Sequence, residues 1–241
     1  MTNGGGRPLA KIQTIILAGG LGTRLRSVVE DRPKVMAMVH GQPFLAYLLN
    51  QLVTAGVDEV VISTGYLSEK IRDIFRDKYR SLRIVYSEES APLGTAGALR
   101  LAWPLIHSDL VLVMNGDSYC DVSLEEFWFE HQRRGARASM LLTETSDTQR
   151  FGRVDLGDDG VVVAFREKSG EARPGIINAG IYLFQNRLIA ELEPNTVLSL
   201  EMDVLPKLIG QGLFGFVSEG KFLDIGTPED YASAETFLPR T

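Results

Sequence analysis

Apolar positions along the chain fall into short runs that alternate with stretches of helical spacing. The run Ile12 to Ala18 predicts a buried strand, Phe44 to Ala55 a helix, Glu59 to Thr64 a strand, Ser68 to Tyr79 a helix and Leu82 to Ser87 a strand. A helix at Thr95 to Trp103, a strand at Leu110 to Met114 and a helix from Ser123 to Arg134 continue the alternation. Pro43 marks a helix start, where a missing N–H costs nothing, and Gly56 sits just past the end. Apolar strands separated by helices imply a Rossmann-like, doubly wound α/β fold. Its sheet is mixed but mostly parallel, and its ligands lie beyond the carboxyl ends of the strands. The glycine-rich stretch after Ala18, Thr64 to Tyr66, and Asn115 to Asp117 all follow such strands, so they converge on one edge.

Beyond about Ala138 the pattern changes. Strands are predicted at Met140 to Thr143, Gly152 to Leu156, Val161 to Glu167 and Ile176 to Phe184, with GDDG at Gly157 to Gly160 as a turn. This reads as a small antiparallel extension of the sheet. Helices follow at Arg187 to Leu192 and Met202 to Gln211, then short strands at Gly215 to Ser218 and Lys221 to Asp224. The last helix opens with Thr227 as N-cap, Pro228 at its first position, and Glu229 and Asp230 where carboxylates meet the positive end of the helix dipole. The glycine-rich start has no pattern to pack, so residues 1–10 read as a flexible leader and 11–241 as a single domain.

With 241 residues and 44% hydrophobic content the chain can bury a full core. Ile15 to Ala18 is too short and glycine-interrupted for a signal peptide, and no run reaches membrane-spanning length, so a cytoplasmic protein with no membrane partner is expected. The single cysteine, Cys120, excludes an internal disulfide and fits a reducing compartment. His40, His107 and His131 lack metal-ligand spacing and read as surface or packing residues. A net charge of −6 disfavours nucleic acid as a partner. Oligomeric state stays open, a homo-oligomer included; Phe127-Trp128-Phe129 suits a core better than an interface.

The most informative segment is LAGGLGTRLRSVVEDRPK, Leu17 to Lys34. A glycine turn through Gly19, Gly20 and Gly22 after a strand lets backbone N–H groups approach an anion unobstructed by side chains. Arg24, Arg26, Arg32 and Lys34 outnumber Glu30 and Asp31, leaving a local positive excess in an acidic protein. Two common phosphate loops are excluded. A Walker A loop needs a Lys-Ser or Lys-Thr pair, whereas Thr23 follows Gly22. The dinucleotide fingerprint finds Leu25 at its third glycine and His40 where an acidic ribose partner belongs.

This stretch resembles the signature of the sugar nucleotidyltransferases, which join a nucleoside triphosphate to a sugar 1-phosphate and release pyrophosphate. Further matches follow in order: PLGTAGAL at Pro92 to Leu99, NGD at Asn115 to Asp117, EK at Glu167 and Lys168, NAG at Asn178 to Gly180, and FLDIGTPEDY at Phe222 to Tyr231. The resemblance implies the nucleotide-diphospho-sugar transferase fold, with a nucleotide-binding half at about 11–135 and a sugar-binding half at about 136–241. It also implies Mg²⁺ held by Asp117 and Asp224, and Arg24, Lys34 and Asp117 as catalytic groups. Leu17, Ala18, Gly19, Gly20, Gly22 and Thr23 would cradle the nucleotide. Thr64, Glu89, Gly94 and Thr95 belong to the segments expected to recognise its base, with Thr95 also suited to cap the following helix. Gly116, Glu167, Lys168, Asn178 and Gly180 would hold the sugar phosphate.

The nucleophile would be a sugar-phosphate oxygen. Its second pKa of about 6 leaves it dianionic at neutral pH, so no general base is needed. Glu88 or Glu89 could accept the N1–H and N2 amine of guanine. Within the family, EESAPLGTAGAL and FLDIGTPEDY are most similar to guanylyltransferases acting on D-glycero-α-D-manno-heptose 1-phosphate. Mannose 1-phosphate guanylyltransferases and uridylyl- or thymidylyltransferases for N-acetylmuramate or glucose 1-phosphate stay open, as does a silent nucleotide-sugar-binding regulatory subunit. Phe222 stands where many uridylyl and thymidylyl relatives carry tryptophan.

Overall fold

The structure is a computed structural model that describes residues 8–20, 22, 24, 25, 28, 29, 31–149, 151–166 and 172–240. In chain order its strands are β1 (Gln13–Leu17), β2 (Met38–Val39), β3 (Gln42–Pro43), β4 (Glu59–Thr64), β5 (Lys78–Tyr79), β6 (Leu82–Glu88), β7 (Leu110–Asn115), β8 (Ser118–Cys120), β9 (Ala138–Thr145), β10 (Arg153–Leu156), β11 (Val162–Arg166), β12 (Gly175–Gln185), β13 (Leu213–Ser218) and β14 (Phe222–Asp224). The α-helices are α1 (Phe44–Thr54), α2 (Ser68–Phe75), α3 (Gly94–Ala102), α4 (Leu124–Arg134), α5 (Asn186–Ala190), α6 (Leu205–Leu208) and α7 (Pro228–Phe237).

A single ten-stranded sheet organises the molecule, with the order β11-β10-β12-β7-β1-β4-β6-β5 and with β9 on β12 and β13 on β9. β7, β1, β4 and β6 run parallel, while β12 runs antiparallel to β7 and β9 antiparallel to β12. The fold is therefore mixed α/β, mostly parallel at its centre, as expected. Successive side chains of β1 point to opposite faces, so each face acquires its own apolar layer. Ile15 packs with Val61, Val113 and Leu99 of α3; Ile16 packs with Ile62, Met114 and the α1 residues Phe44, Leu45 and Leu48. Helices cover both faces, which is why β1, β4 and β7 carry apolar side chains on both faces through their centres.

Local chemistry sets the element ends. Ser123 Oγ caps α4 by accepting from Glu126 N at 3.2 Å, and Gly135 closes it in the left-handed region at φ +56°. Thr227 Oγ1 caps α7 by accepting from Asp230 N, with Pro228 following as predicted. Phe127 is buried in the core, whereas Phe129 is exposed.

Three expectations need correction. The helix predicted over Ser68 to Tyr79 ends at Phe75, where Arg76 takes φ +50°. Tyr79 keeps the apolar spacing from Phe75 and meets its ring edge-on at 5.7 Å, but from β5, which folds back on β6. The helix expected over Met202 to Gln211 is instead a π-helical turn, Leu200–Val204, followed by α6; Pro206 has no N–H to continue a ladder. The expected leader is ordered from Pro8: Pro8–Lys11 form a 3₁₀ turn and Leu9 is fully buried. Residues 1–7 lie outside the described residues.

Two buried titratable groups serve packing. Burial pushes the Cys120 thiol up to about 11, and Cys120 pairs with Phe222 across the β8–β14 ribbon. Burial pushes the His131 imidazole down to about 4 from an ordinary 6.5, and its Nδ1 lies 2.9 Å from Ser139 Oγ on β9. The unfolded chain protonates this histidine where the folded chain does not. Stability held above pH 6.5 is therefore lost as pH falls towards 4, by roughly 3 kcal/mol for a gap of this size. His131→Asn should flatten that part of the acid dependence, measured as the difference between urea midpoints at pH 7 and pH 4.5. A variant as acid-sensitive as the parent would contradict this account.

Candidate active site

Two cavities open at the carboxyl ends of the central strands and share Asn115, the last residue of β7, as a common wall. The first, of about 340 Å³, is floored by Leu17 and Ala18 and continues along Gly19, Gly20 and Gly22 to Arg24 and Lys34. Its opposite side is Ser63, Glu89, Gly94 and Thr95. Backbone pairing fixes this geometry: Ala18 N donates to Ser63 O at 2.7 Å, and Gly116 N donates to Leu17 O at 2.9 Å. Gly22 sits at φ +58° with Lys34 Cβ against it, which brings the loop over the lysine.

Glu89 lies in a cradle of glycines. A Cβ on Gly19 would collide with its carboxylate, and one on Gly65 would stand 2.9 Å from Oε1. Its carboxylate accepts from Leu93 N at 3.1 Å. Burial raises its pKa, and the Leu93 N–H only partly offsets this. Glu88 turns the other way, accepting from Ser68 Oγ at 2.7 Å and Arg72 at 3.1 Å.

At the divide stand Asp117, on the first cavity, and Asp224, on the second. The β8–β14 ribbon and an Ile225 N to Asp117 O hydrogen bond of 3.0 Å hold their backbones side by side. Lys34 Nζ donates to Asp117 Oδ2 at 2.8 Å, its side chain only 10% exposed against 37% for the aspartate. Gly226 N donates to Asp224 Oδ1 at 2.6 Å. Burial raises the Asp224 pKa, the Asp117 charge raises it further, and Lys34 and the Gly226 N–H pull it back. Two carboxylates beside one lysine leave negative charge that a cation would relieve. Among the described residues no cluster of three or more His, Cys, Asp or Glu could hold a metal, so an ion here would complete its shell from phosphate and water.

The second cavity, of about 650 Å³, exists because β12 is interrupted. Its pairing with β9 shifts between Asn178 and Tyr182, and Gly180 sits at φ +74°. A Cβ there would stand 2.7 Å from Asn115 Nδ2 and 2.8 Å from Ser118 Oγ. Asn178, Gly180, Ser118 and Glu201 face this space beside Phe151, Phe165 and Phe222. Arg153 and Arg166 line it too, both tied to Asp155 at 3.3 and 2.7 Å.

The predicted site residues Leu17, Ala18, Gly19, Gly20, Gly22, Arg24, Lys34, Glu89, Gly94, Thr95 and Asp117 meet at the first cavity, and Asn178, Gly180 and Asp224 at the second. Thr23, Glu167 and Lys168 lie outside the described residues. Thr64 does not reach the cavity: it is fully buried with its hydroxyl towards Ser87 O, and its neighbour Ser63 faces the site, because alternate residues of a strand point to opposite sides. Gly116 packs against Leu17 O and Val35 rather than on the sugar-side cavity. Thr95 does not cap α3, which begins one residue earlier; its hydroxyl is bonded to Glu201 and Leu200 N. The close approach at Gly94 is made by the Leu198 carbonyl. Arg32 is a surface ion pair with Asp31 at 2.8 Å. Asn115 opens the NGD motif but was given no role of its own from sequence, and Tyr182 and Glu201 were not singled out; NAG lies just before Tyr182, and Glu201 has no motif signal.

The profile of the family described as "Nucleotidyl transferase" matches residues 13–241. The chain belongs to this nucleotidyl transferase family. Among curated relatives, it is 39% identical to the D-glycero-alpha-D-manno-heptose 1-phosphate guanylyltransferase of Aneurinibacillus thermoaerophilus, over 94% of this chain and 98% of the relative. It is 32% identical to the enzyme of the same name from Campylobacter jejuni, over 91% and 97%. Among solved structures it superposes on HddC from Yersinia pseudotuberculosis complexed with GMP-PN with a TM-score of 0.83 and 35% identity, covering 93% of this chain and 98% of that one. Nucleotidyl transferases of this kind typically work with a divalent metal, which the Asp117 and Asp224 pair suits. No helix among the described residues is long and apolar enough to cross a membrane.

Gly180→Ala tests the bulge. It should lower stability by about 1–3 kcal/mol, from strain at positive φ and collision with Asn115 and Ser118, and this would be read by urea unfolding. A neutral substitution would show that the bulge relaxes freely.

Proposed function

We propose that this chain is a sugar 1-phosphate guanylyltransferase whose substrates are GTP and D-glycero-α-D-manno-heptose 1-phosphate and whose cation is Mg²⁺. The observation that carries the reading is the meeting of two cavities at Asn115, with one carboxylate of a pair on each. The likeness to heptose 1-phosphate guanylyltransferases over nearly the whole chain supports it.

In this reading the glycine loop and Arg24 receive the triphosphate in the first cavity. The sugar phosphate enters the second beside Asn178 and Gly180, with Glu167 and Lys168 contributing to that side. A phosphate oxygen of the sugar attacks the α-phosphorus. The bond from that phosphorus to the α,β-bridging oxygen breaks, and pyrophosphate leaves with the electron pair. The attacking phosphate is already dianionic, so no side chain need remove a proton. Arg24 and Lys34 stabilise charge on the α-phosphate and the leaving group, the electrostatic contribution that dominates such reactions. Asp117 and Asp224 would hold Mg²⁺, which when bound neutralises the polyphosphate. Nucleoside triphosphate supply puts the reaction in the cytoplasm.

Glu89 is the base reader in this account. Its half-buried carboxylate accepts from one donor among the described residues, Leu93 N, and guanine offers two more in N1–H and the N2 amine. Uracil and thymine lack the amine.

Pyrophosphate release, measured with Mg²⁺ for GTP, UTP, dTTP, ATP and CTP against heptose, mannose, glucose and N-acetylmuramate 1-phosphates, should peak at GTP with the heptose. Activity confined to another pair would replace the substrates, and silence throughout would reject the enzyme reading. Asp117→Asn should lower kcat by about a hundredfold or more, and EDTA should abolish turnover until Mg²⁺ is restored. Glu89→Gln should raise KM for GTP roughly tenfold while leaving weak activity with other triphosphates unchanged. Equal losses across nucleotides would remove Glu89 from base recognition.

A further inference from the structure

The segment after α5 is strapped across the first turn of α3. Leu198 N donates to Leu93 O at 2.9 Å, and the Leu198 carbonyl accepts from Ala96 N at 2.9 Å and Gly97 N at 3.3 Å. The approach is close enough that a Cβ on Gly94 would strike the Leu198 carbonyl and one on Gly97 would stand 2.5 Å from Thr196 O. The strap then turns into the π-helical Leu200–Val204, a distortion common near functional sites.

A chain of side-chain hydrogen bonds runs from this junction. Leu200 N donates to Thr95 Oγ1 at 2.7 Å, and the Thr95 hydroxyl donates to Glu201 Oε2 at 3.0 Å. Ser199 Oγ donates to the same oxygen at 3.0 Å. Glu201 Oε1 accepts from the Tyr182 hydroxyl at 3.2 Å, and Tyr182 in turn accepts from Asn178 Nδ2 at 2.7 Å. Asn178 Oδ1 accepts from Gly180 N at 3.0 Å. Thr95 and Tyr182 each have one hydroxyl proton, and each directs it at Glu201, so the carboxylate is the acceptor on which both arms end. Thr95 lines the first cavity; Asn178, Gly180 and Glu201 line the second. Tyr182 is fully buried, where a broken link cannot be replaced cheaply by water.

We propose that Glu201 is a positioning residue for the transfer: it ties the first turn of α3, on the nucleotide side, to the β12 bulge, on the sugar-phosphate side, and so sets the separation of the two reacting anions. The proposal rests on the two-cavity reading above. Attack requires near-contact geometry, and a shift of about 1 Å can cost on the order of a hundredfold in rate. A strut needed only for folding would change stability but not turnover per folded molecule.

The test uses Thr95→Val, which keeps shape and loses the hydroxyl, Tyr182→Phe, the double variant, and Thr95→Ser as the conservative control. Steady-state kinetics with GTP and D-glycero-α-D-manno-heptose 1-phosphate are paired with calorimetric GTP binding and thermal unfolding. Tyr182→Phe and Thr95→Val should each lower kcat roughly tenfold, and Tyr182→Phe, which touches neither cavity, should hold GTP affinity within about twofold. The double variant should fall no further than the single ones, because both cut the same tie, and Thr95→Ser should restore kcat. Values of kcat within about twofold of the parent, or losses that multiply, would overturn the proposal. If Thr95→Val fails to fold, Tyr182→Phe decides alone. A parent protein silent with every substrate pair would instead overturn the function reading, and this proposal with it.

Discussion

The pairing of β7 with β1 on one side and β12 on the other is the constraint on which both cavities depend. β1 delivers the glycine loop to one side of the β7 end, and β12 delivers its bulge to the other. Because β7 stops at Asn115, the next residues are free to turn and carry Asp117 across the boundary. Shifting either pairing by one residue would turn the apolar side chains of β1 or β12 to the wrong face, and the register is therefore held by burial as well as by hydrogen bonds.

The charge arrangement follows from that geometry. Lys34 is brought in by the short turn after Pro33 and meets Asp117, while Asp224 comes from the other end of the sequence through the β8–β14 ribbon. One lysine does not balance two carboxylates when one of them is buried. The divide is thus left with acidic character, which a cation bound between the two carboxylates would offset. Solvent-exposed Arg24 lines the same cavity as the Lys34–Asp117 pair and adds positive charge to that wall.

Much of this was legible in the sequence. The strand and helix alternation through α4 came from apolar spacing, and the glycine loop, NGD and NAG each fell on a cavity or its rim. The failures have physical causes. Thr64 and Ser63 could not be told apart because the direction of a strand residue depends on which neighbours pair with it. The helix at Ser68 was overextended because Tyr79 preserved helical spacing while belonging to a hairpin. Thr95 looks like an N-cap by type and position, yet its hydroxyl is taken by a partner 106 residues away. Glu201 had no local signature, because its environment is made by three separate segments meeting in space.

Cys120, buried in the β8–β14 ribbon, has a use as a reporter. It is the sole cysteine of the chain and lies between the strand turn that carries Asp117 and the strand that carries Asp224. With its thiol held protonated, bonded to Ser218 on β13 and out of solvent, a thiol reagent reaches it only when the ribbon lifts from the core beneath it. The labelling rate is therefore a clock for the opening of the segment holding both carboxylates, and anything that braces them together slows the clock.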